Sequence, residues 1–497
     1  MQYNVMNFGA QANGIANDAP AVQKAIDACT QAGGGKVIVP AGNYLCAAIE
    51  LKSNVELHLE NGATIIASHD EALYEAQQGL ACLIGAKHAH DVALTGLGKI
   101  DGRGRLVNYN DHADHGFEEC PLAFRGFRPR TTLFEDIENL TVHGVTFCDS
   151  ALWTLHMAGC RNVICDSIKI LNDDRAANND GIDPDCCQGV VIKDCIVFTG
   201  DDAIVVKTSK QMAPVYGPCE NITITGCVLH SRDSALKIGT ETWADIRNIV
   251  FSDCVAYDCS RILGVWARDG ATIERIRANN LIGSTRRYAD ATRYPDHWWG
   301  KGEPVFISNT PRKRGQSGYT GTIRDITIAG VDAKCESSLF IKSGTADSPI
   351  ENIRIQNVSL TFVRQGTQPT GVFDESPAYG GSSMHGDNAA GLAPEPFDAT
   401  RDVYLHDIPA LYAHGVSGLE AEHLRVTFVQ PENEAWTHLI QLVSCRDAAL
   451  FRVKGNSARA DLPAVLLQGC DGVQIEGLST RSPKLEADDA CKDVALL

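Results

Sequence analysis

NNDGIDPDCCQGVVIKDCIVFTGDDAIVVKT, residues 178–208, decides how the rest of this chain is read. Two segments in it, GVVIKDCIVF (189–198) and AIVVKT (203–208), carry the period-2 alternation of half-buried strands. Acidic side chains stand on either side of the first of them, at Asp180, Asp183 and Asp185 before it and at Asp201 and Asp202 after it. Asp180 and Asp201 each border such a strand, about one structural repeat apart. If the repeats stack as parallel strands, equivalent positions lie roughly 4.7 to 4.9 Å apart, and Asp180, Asp201 and Asp202 converge on one face. Three carboxylates that close cannot all be comfortably ionised. Repulsion makes one of them a proton donor beside neighbours that stay charged, the division of labour that glycoside cleavage needs. Strand termination through turn hydrogen bonds explains any single aspartate equally well, but not a doublet with a third Asp one coil earlier.

Working outward, the same pattern recurs as NLTVHGVTF at Asn139, NVICDSIKIL at Asn162, GVVIKDCIVF at Gly189, NITITGCVLH at Asn221, NIVFSDCVAY at Asn248, DITIAGVDA at Asp325 and NIRIQNVSL at Asn352. The period is about 22 to 32 residues over the uninterrupted part, within the solenoid range. Asn at the head of a repeat suits a tight turn, and stacked Asn side chains can hydrogen-bond along the axis. Strands joined by short turns with little helix between them cannot form a doubly wound sheet. The expected fold is all-β, a single right-handed parallel β-helix over residues 1–497: a cap (1–50), main coils (51–363), a long loop (364–402) and closing coils (403–497).

The cap is a short strand and turn followed by a helix, with Asp18 near its start, Pro20 in its first turn, Val22, Ile26 and Cys29 on one face, and Gly33 to Gly35 at its end. Such an amphipathic helix covers the open end of a solenoid. VELHLENGATIIAS (55–68) reads as two strands around an Asn-Gly turn. Three interruptions, 109–130, 286–317 and 364–402, are long, irregular and rich in Gly, Pro, aromatics and charge, as expected of loops that wall a cleft.

The net charge of −18 argues against nucleic acid as a partner, and makes a strongly anionic polymer an uncomfortable substrate unless the cleft is locally basic. No run approaches the length of a membrane span. The opening MQYNVMNFGA has neither basic nor apolar leader character. Together with eighteen cysteines set among apolar strand positions, this favours reduced thiols and a cytoplasmic location, or a secreted one if a leader has been removed. The pairs Cys160/Cys165 and Cys254/Cys259 reach the loose limit of zinc spacing, but packing is the simpler role.

NNDGIDPD followed by GDD, with WTLH (153–156) and the pair Arg128-Pro129 upstream, resembles glycoside hydrolase family 28, the polygalacturonases and rhamnogalacturonases. The resemblance spans about residues 3 to 360. It implies that Asp201 is the general acid and that Asp180 and Asp202 activate water, with no metal or organic cofactor. Asn179 stands where the family has Thr. The family's Gly-His-Gly is RDSALKIG here, so Asp233, or Ser234 with a slip of one, replaces its His; an ionised Asp there would make the local field more negative. The family's Arg-Ile-Lys, which grips a substrate carboxylate, is GVWARDG here, aligning Trp266 and Arg268 with its Arg and Lys. Half of the clamp has become an indole, which points away from polygalacturonate itself and towards a neutral or weakly charged sugar stacked on Trp266, with Arg268 supplying hydrogen bonds.

Further candidates for substrate contact are His156 and Asn178, the adjacent Trp298 and Trp299, whose rings suit the apolar C–H faces of sugars, and more weakly Trp243. Glu303 and Glu241 are reserve carboxylates. DHADH (111–115) reads as a solvated polar loop and GLGKIDG (96–102) as turn chemistry. The expected partner is an oligosaccharide or polysaccharide. A β-helical lyase, an anhydride-forming glycosyl-transferring enzyme and a carbohydrate-binding solenoid without turnover are the competing readings.

Overall fold

The computed structural model of the chain describes residues 1–77, 81–109, 122–288, 300–310, 318–345, 347–366, 372–373, 404–433 and 435–497. They form two compact units, Met1–Leu229 and His230–Leu497. Each is a parallel β-helix, built from short strands that pair in parallel with their equivalents one coil away.

The first unit opens with helix α1 (Ala19–Gln31), and its apolar face is the expected one: Val22, Ile26 and Cys29 are fully buried. Asp18 stands at its N-terminus, but its carboxylate is used elsewhere, accepting from the backbone N–H of Gln11 and Ala12 at 2.7 and 3.0 Å. The Asn61-Gly62 turn joins Val55–Leu59 to Ala63–Ala67 as a coil corner and not as a hairpin, because each strand pairs in parallel with neighbouring coils.

The row that carries the site is β1 (Arg130–His143), β2 (Leu155–Ala158), β3 (Ile182–Asp185) and β4 (Ile204–Thr208), each in parallel register with the next. Alternation divides these strands. Leu155 and Met157, Ile182 and Pro184, and Ile204 and Val206 form an apolar inner row, with about 1.5 to 3 kcal/mol from each large aliphatic side chain buried. The opposite row presents His156, Asp183, Asp185 and Lys207.

Six of the seven repeats begin with Asn or Asp and one with Gly, for a conformational reason. Asn139, Asn162, Gly189, Asn221, Asn248, Asp325 and Asn352 all have φ between 54° and 69°, the left-handed region that Gly, Asn and Asp enter most readily. The side chains also stack as expected. Asn162 Nδ2 donates to Asn139 Oδ1 at 3.2 Å, Asn139 Nδ2 to Asp91 Oδ1 at 3.0 Å, and Asn352 Nδ2 to Asp325 Oδ1 at 3.1 Å.

In the second unit the corresponding row is β5 (Ser234–Thr242), β6 (Arg261–Trp266), β7 (Val305–Ser308), β8 (Leu339–Lys342), β9 (Leu411–His414) and β10 (Ile440–Val443). Its inner side is aliphatic, with Leu236, Ile238, Leu263, Val265, Val305, Ile307 and Ile341 all buried. The segments after residue 403 do resume parallel coils, pairing as β8 to β9 and β9 to β10. Most of the three interruptions, including the DHADH segment, lies outside the described residues. Cys160, Cys165, Cys254 and Cys259 are packed in the core. Among the described residues, no helix is long and apolar enough to cross a membrane.

Candidate active site

Counting back two residues from the register partners Leu155, Ile182 and Ile204 puts Trp153, Asp180 and Asp202 at equivalent positions on three successive coils of the first unit. The convergence expected of the aspartates is present: Asp180, Asp201 and Asp202 each place a carboxylate oxygen within 4.8 Å of the other two, and all three residues are buried. That spacing would suit a cation as well as a shared proton. Hydrogen bonds fix the backbone of the doublet and both carboxylate oxygens of Asp201.

Asn179, the motif's middle residue, aims the doublet. It is fully buried; its Oδ1 accepts from the N–H of Gly200 and Asp201 at 2.9 and 3.1 Å, and its Nδ2 donates to Asp173 O at 2.7 Å. Asp201 Oδ2 accepts from the Asn178 N–H at 3.0 Å, and Asp201 Oδ1 from the Asp202 N–H at 2.9 Å. Asn178, expected at the substrate, is therefore engaged with the protein, its Oδ1 also accepting from Arg128 Nη2 at 3.2 Å. Burial pulls the Arg128 guanidinium down to about 10, partly offset by the charges of Asp180 and Asp201. It remains a cation at neutral pH.

Beside the carboxylates lies a buried polar layer. Lys207 Nζ is 2.8 Å from Asp183 Oδ1 and 3.8 Å from Asp180 Oδ2, and sits 3.3 Å from the centroid of the Trp153 ring. His156 meets Trp153 edge-on at 4.9 Å, and its Nε2 is 3.3 Å from Asp185 Oδ2. Burial depresses the His156 pKa, more than the Asp185 hydrogen bond restores, so the contact joins a neutral imidazole to a carboxylate. Burial pushes Asp185 up, but His156, Lys207 and Ser209 together bring it below the usual range. His156 is thus held inside the protein. Lys207, Trp153, Asn179 and Arg128 were not singled out as site residues from the sequence; for Lys207 the available signal was the alternation that puts it on β4 on the same sheet face as Asp183 and Asp185 of β3.

The second unit corrects two expectations. Asp233 does not add uncompensated negative charge: Lys237 Nζ lies 2.9 Å from its Oδ2 and Arg261 Nη1 3.0 Å from its Oδ1. Burial pushes its carboxyl up, and the two cations more than offset this, holding it below the ordinary carboxylate range. Trp266 is not available for sugar stacking. It is fully buried, its ring 4.9 Å from Phe306 and flanked by Arg261 and Lys237. The reason is Gly264, where a Cβ would come within 2.5 Å of the indole, so the missing side chain lets the ring lie down over the strand. Arg268 follows the end of β6 and is buried too. Glu303, fully buried, accepts from the Lys301 N–H at 2.7 Å and lies 3.3 Å from Arg261 Nε, a counter-ion and not a reserve acid. Glu241 is half-buried and Trp243 exposed. Trp298 and Trp299 lie outside the described residues.

Residues 29–283, which include all three aspartates, match the family described as glycosyl hydrolases family 28. The chain belongs to that family. Among the chain's relatives, a "Probable polygalacturonase" of Vitis vinifera is 27% identical over 274 residues, 51% of this chain and 54% of that protein. A polygalacturonase of Prunus persica is 28% identical over 387 residues, 74% and 88% of the two chains. This chain spans about half the length of the Vitis relative and 44% of a probable polygalacturonase of Arabidopsis thaliana. The fold is shared with an exopolygalacturonase of Thermotoga maritima, at TM-score 0.61 and 24% identity over 76% of this chain and 89% of the other. A family 28 exopolygalacturonase of Yersinia enterocolitica gives TM-score 0.61 at 16% identity, covering 99% and 78%.

Proposed function

We propose that the chain hydrolyses an α-linked glycosidic bond in a plant- or microbe-derived oligosaccharide or polysaccharide, with inversion, using Asp201 as general acid and Asp180 and Asp202 to activate water. The observation that carries this is the buried cluster of three carboxylates with oxygens within 4.8 Å, inside the segment that matches a hydrolase family. Membership of a hydrolase family speaks against the lyase and anhydride-forming alternatives. The preferred substrate is something other than unmodified polygalacturonate, and this finer reading rests on β6. Its polar-side positions are Gly264 and a buried Trp266, where the family resemblance calls for a carboxylate grip.

Plain polygalacturonate hydrolysis is the second reading. It is favoured by the names of the relatives and by the neutralisation of Asp233, which removes the repulsion that would oppose a uronate. Release of reducing ends from a panel of defined oligosaccharides, polygalacturonate included, separates the two. A product carrying a double bond, or no release from any member, would contradict hydrolysis.

A further inference from the structure

We propose that Lys207 is a positioning residue for this reaction, its buried ammonium holding Asp180 as the charged, water-activating carboxylate and leaving the transferable proton to the Asp201-Asp202 doublet. This rests on the hydrolase reading above and adds to it an assignment of charge among three otherwise similar carboxylates.

Lys207 is buried beside the carboxylates. It leaves β4 at the register position of Asp185, on the polar side of the strand, and its ammonium comes to rest within 3.8 Å of Asp180, with the side chain 4% exposed. A lysine this deeply buried keeps its charge only with partners. It has Asp183 at 2.8 Å and the face of Trp153 at 3.3 Å, so it is held from two sides and is not a mobile surface cation. The Lys207-Asp183 pair is neutral as a whole, but its positive end is the one placed beside Asp180.

Other polar and charged groups also face the cluster. Arg128 also acts on Asp180, ahead of Asp201, and so reinforces the same bias. The Asn178 and Asp202 N–H groups bear on Asp201, and they orient it without adding a formal charge. Behind Trp153, Arg130 lies 4.7 Å from the ring, and His156 is paired with Asp185. Lys207 is therefore a full positive charge placed on the Asp180 side of the cluster, 3.8 Å from Asp180 Oδ2. Without such a bias the cluster's proton would be shared, and the carboxylate meant to take a proton from water would hold one for part of the time.

The test is a carboxyl carbon-13 NMR titration of wild type, Lys207→Met and Lys207→Arg, with the Asp180 signal assigned by its disappearance in Asp180→Asn. Loss of the ammonium should raise the Asp180 midpoint by about one to three pH units, the usual effect of an opposite charge at this range, and arginine should restore most of it. On a substrate from the panel, the acidic limb of kcat/KM should move up in Lys207→Met by the same amount, and kcat should fall more than KM rises. Lys207→Gln replaces Lys207→Met if the latter does not fold. An Asp180 midpoint that stays within a few tenths of wild type when the ammonium is gone overturns the assignment and makes Lys207 a packing cation. Wild-type protein inert on every glycan would instead remove the hydrolase reading, an outcome separate from the Asp180 midpoint.

Discussion

Asp201→Asn removes the titratable proton from the proposed acid, and the structure shows that it does more. Asp201 uses both oxygens as acceptors, Oδ1 from the Asp202 N–H at 2.9 Å and Oδ2 from the Asn178 N–H at 3.0 Å. An amide has one oxygen, so whichever way it turns, its NH₂ faces one of these donors. In a site this buried, the lost hydrogen bond should lower stability by about 1 to 3 kcal/mol. Loss of general acid catalysis should lower turnover by roughly 100- to 10,000-fold, about 2.7 to 5.4 kcal/mol of barrier. The two effects are read separately, by denaturant unfolding and by reducing-end release, with calorimetry showing substrate binding close to wild type. A variant that folds and retains more than about a tenth of wild-type activity would refute the assignment. Glu303 could not then inherit the role, since it is tied to Arg261 and the Lys301 N–H.

Three further outcomes follow from buried groups. Asp233→Ala removes the buried carboxylate shared by Lys237 and Arg261 and leaves Arg261 with Glu303, and unfolding should show a loss of about 3 to 5 kcal/mol; a loss below about 1 would mean the remaining partners hold the cations. Trp266→Ala should cost about 3 to 5 kcal/mol through the cavity left over Gly264, whereas unchanged stability with a raised KM would restore the sugar-stacking role. The depressed pKa of His156 means that the unfolded chain binds more protons once the pH drops below about 6.5. Stability should therefore fall as pH is lowered from there through the folded-state value, and His156→Asn should flatten that part of the curve; an unchanged slope would show that another group carries it.

The fold was legible because its determinants are local and repeated. Aliphatic alternation marks every inner row, and a left-handed residue heads each coil, a demand that Asn, Asp and Gly announce in sequence. The three aspartates were legible for the same reason, since register converts their spacing along the chain into proximity. What escaped depends on where long side chains end. Asp233 reads as a bare negative charge until Arg261, 28 residues later, is seen to reach it. Trp266 was placed at the right strand, but an indole's direction depends on the space that Gly264 leaves, which alternation does not report. The ammonium of Lys207 ends beside Asp180 although its strand position matches Asp185. Asn179 looked like a mild departure from Thr and turns out to hold the backbone of the doublet.

The stereochemistry of the product tests the central claim most directly. Inverting carboxyl pairs usually stand about 6.5 to 9.5 Å apart and retaining pairs about 5 to 5.5 Å, whereas the nearest oxygens of Asp180, Asp201 and Asp202 lie within 4.8 Å. The single-displacement scheme therefore has its water held jointly by Asp180 and Asp202, away from their closest approach to Asp201. Proton NMR of the nascent product, recorded before mutarotation, should show the anomer opposite to that of the substrate; a retained anomer would contradict the scheme and make one of the three aspartates a nucleophile.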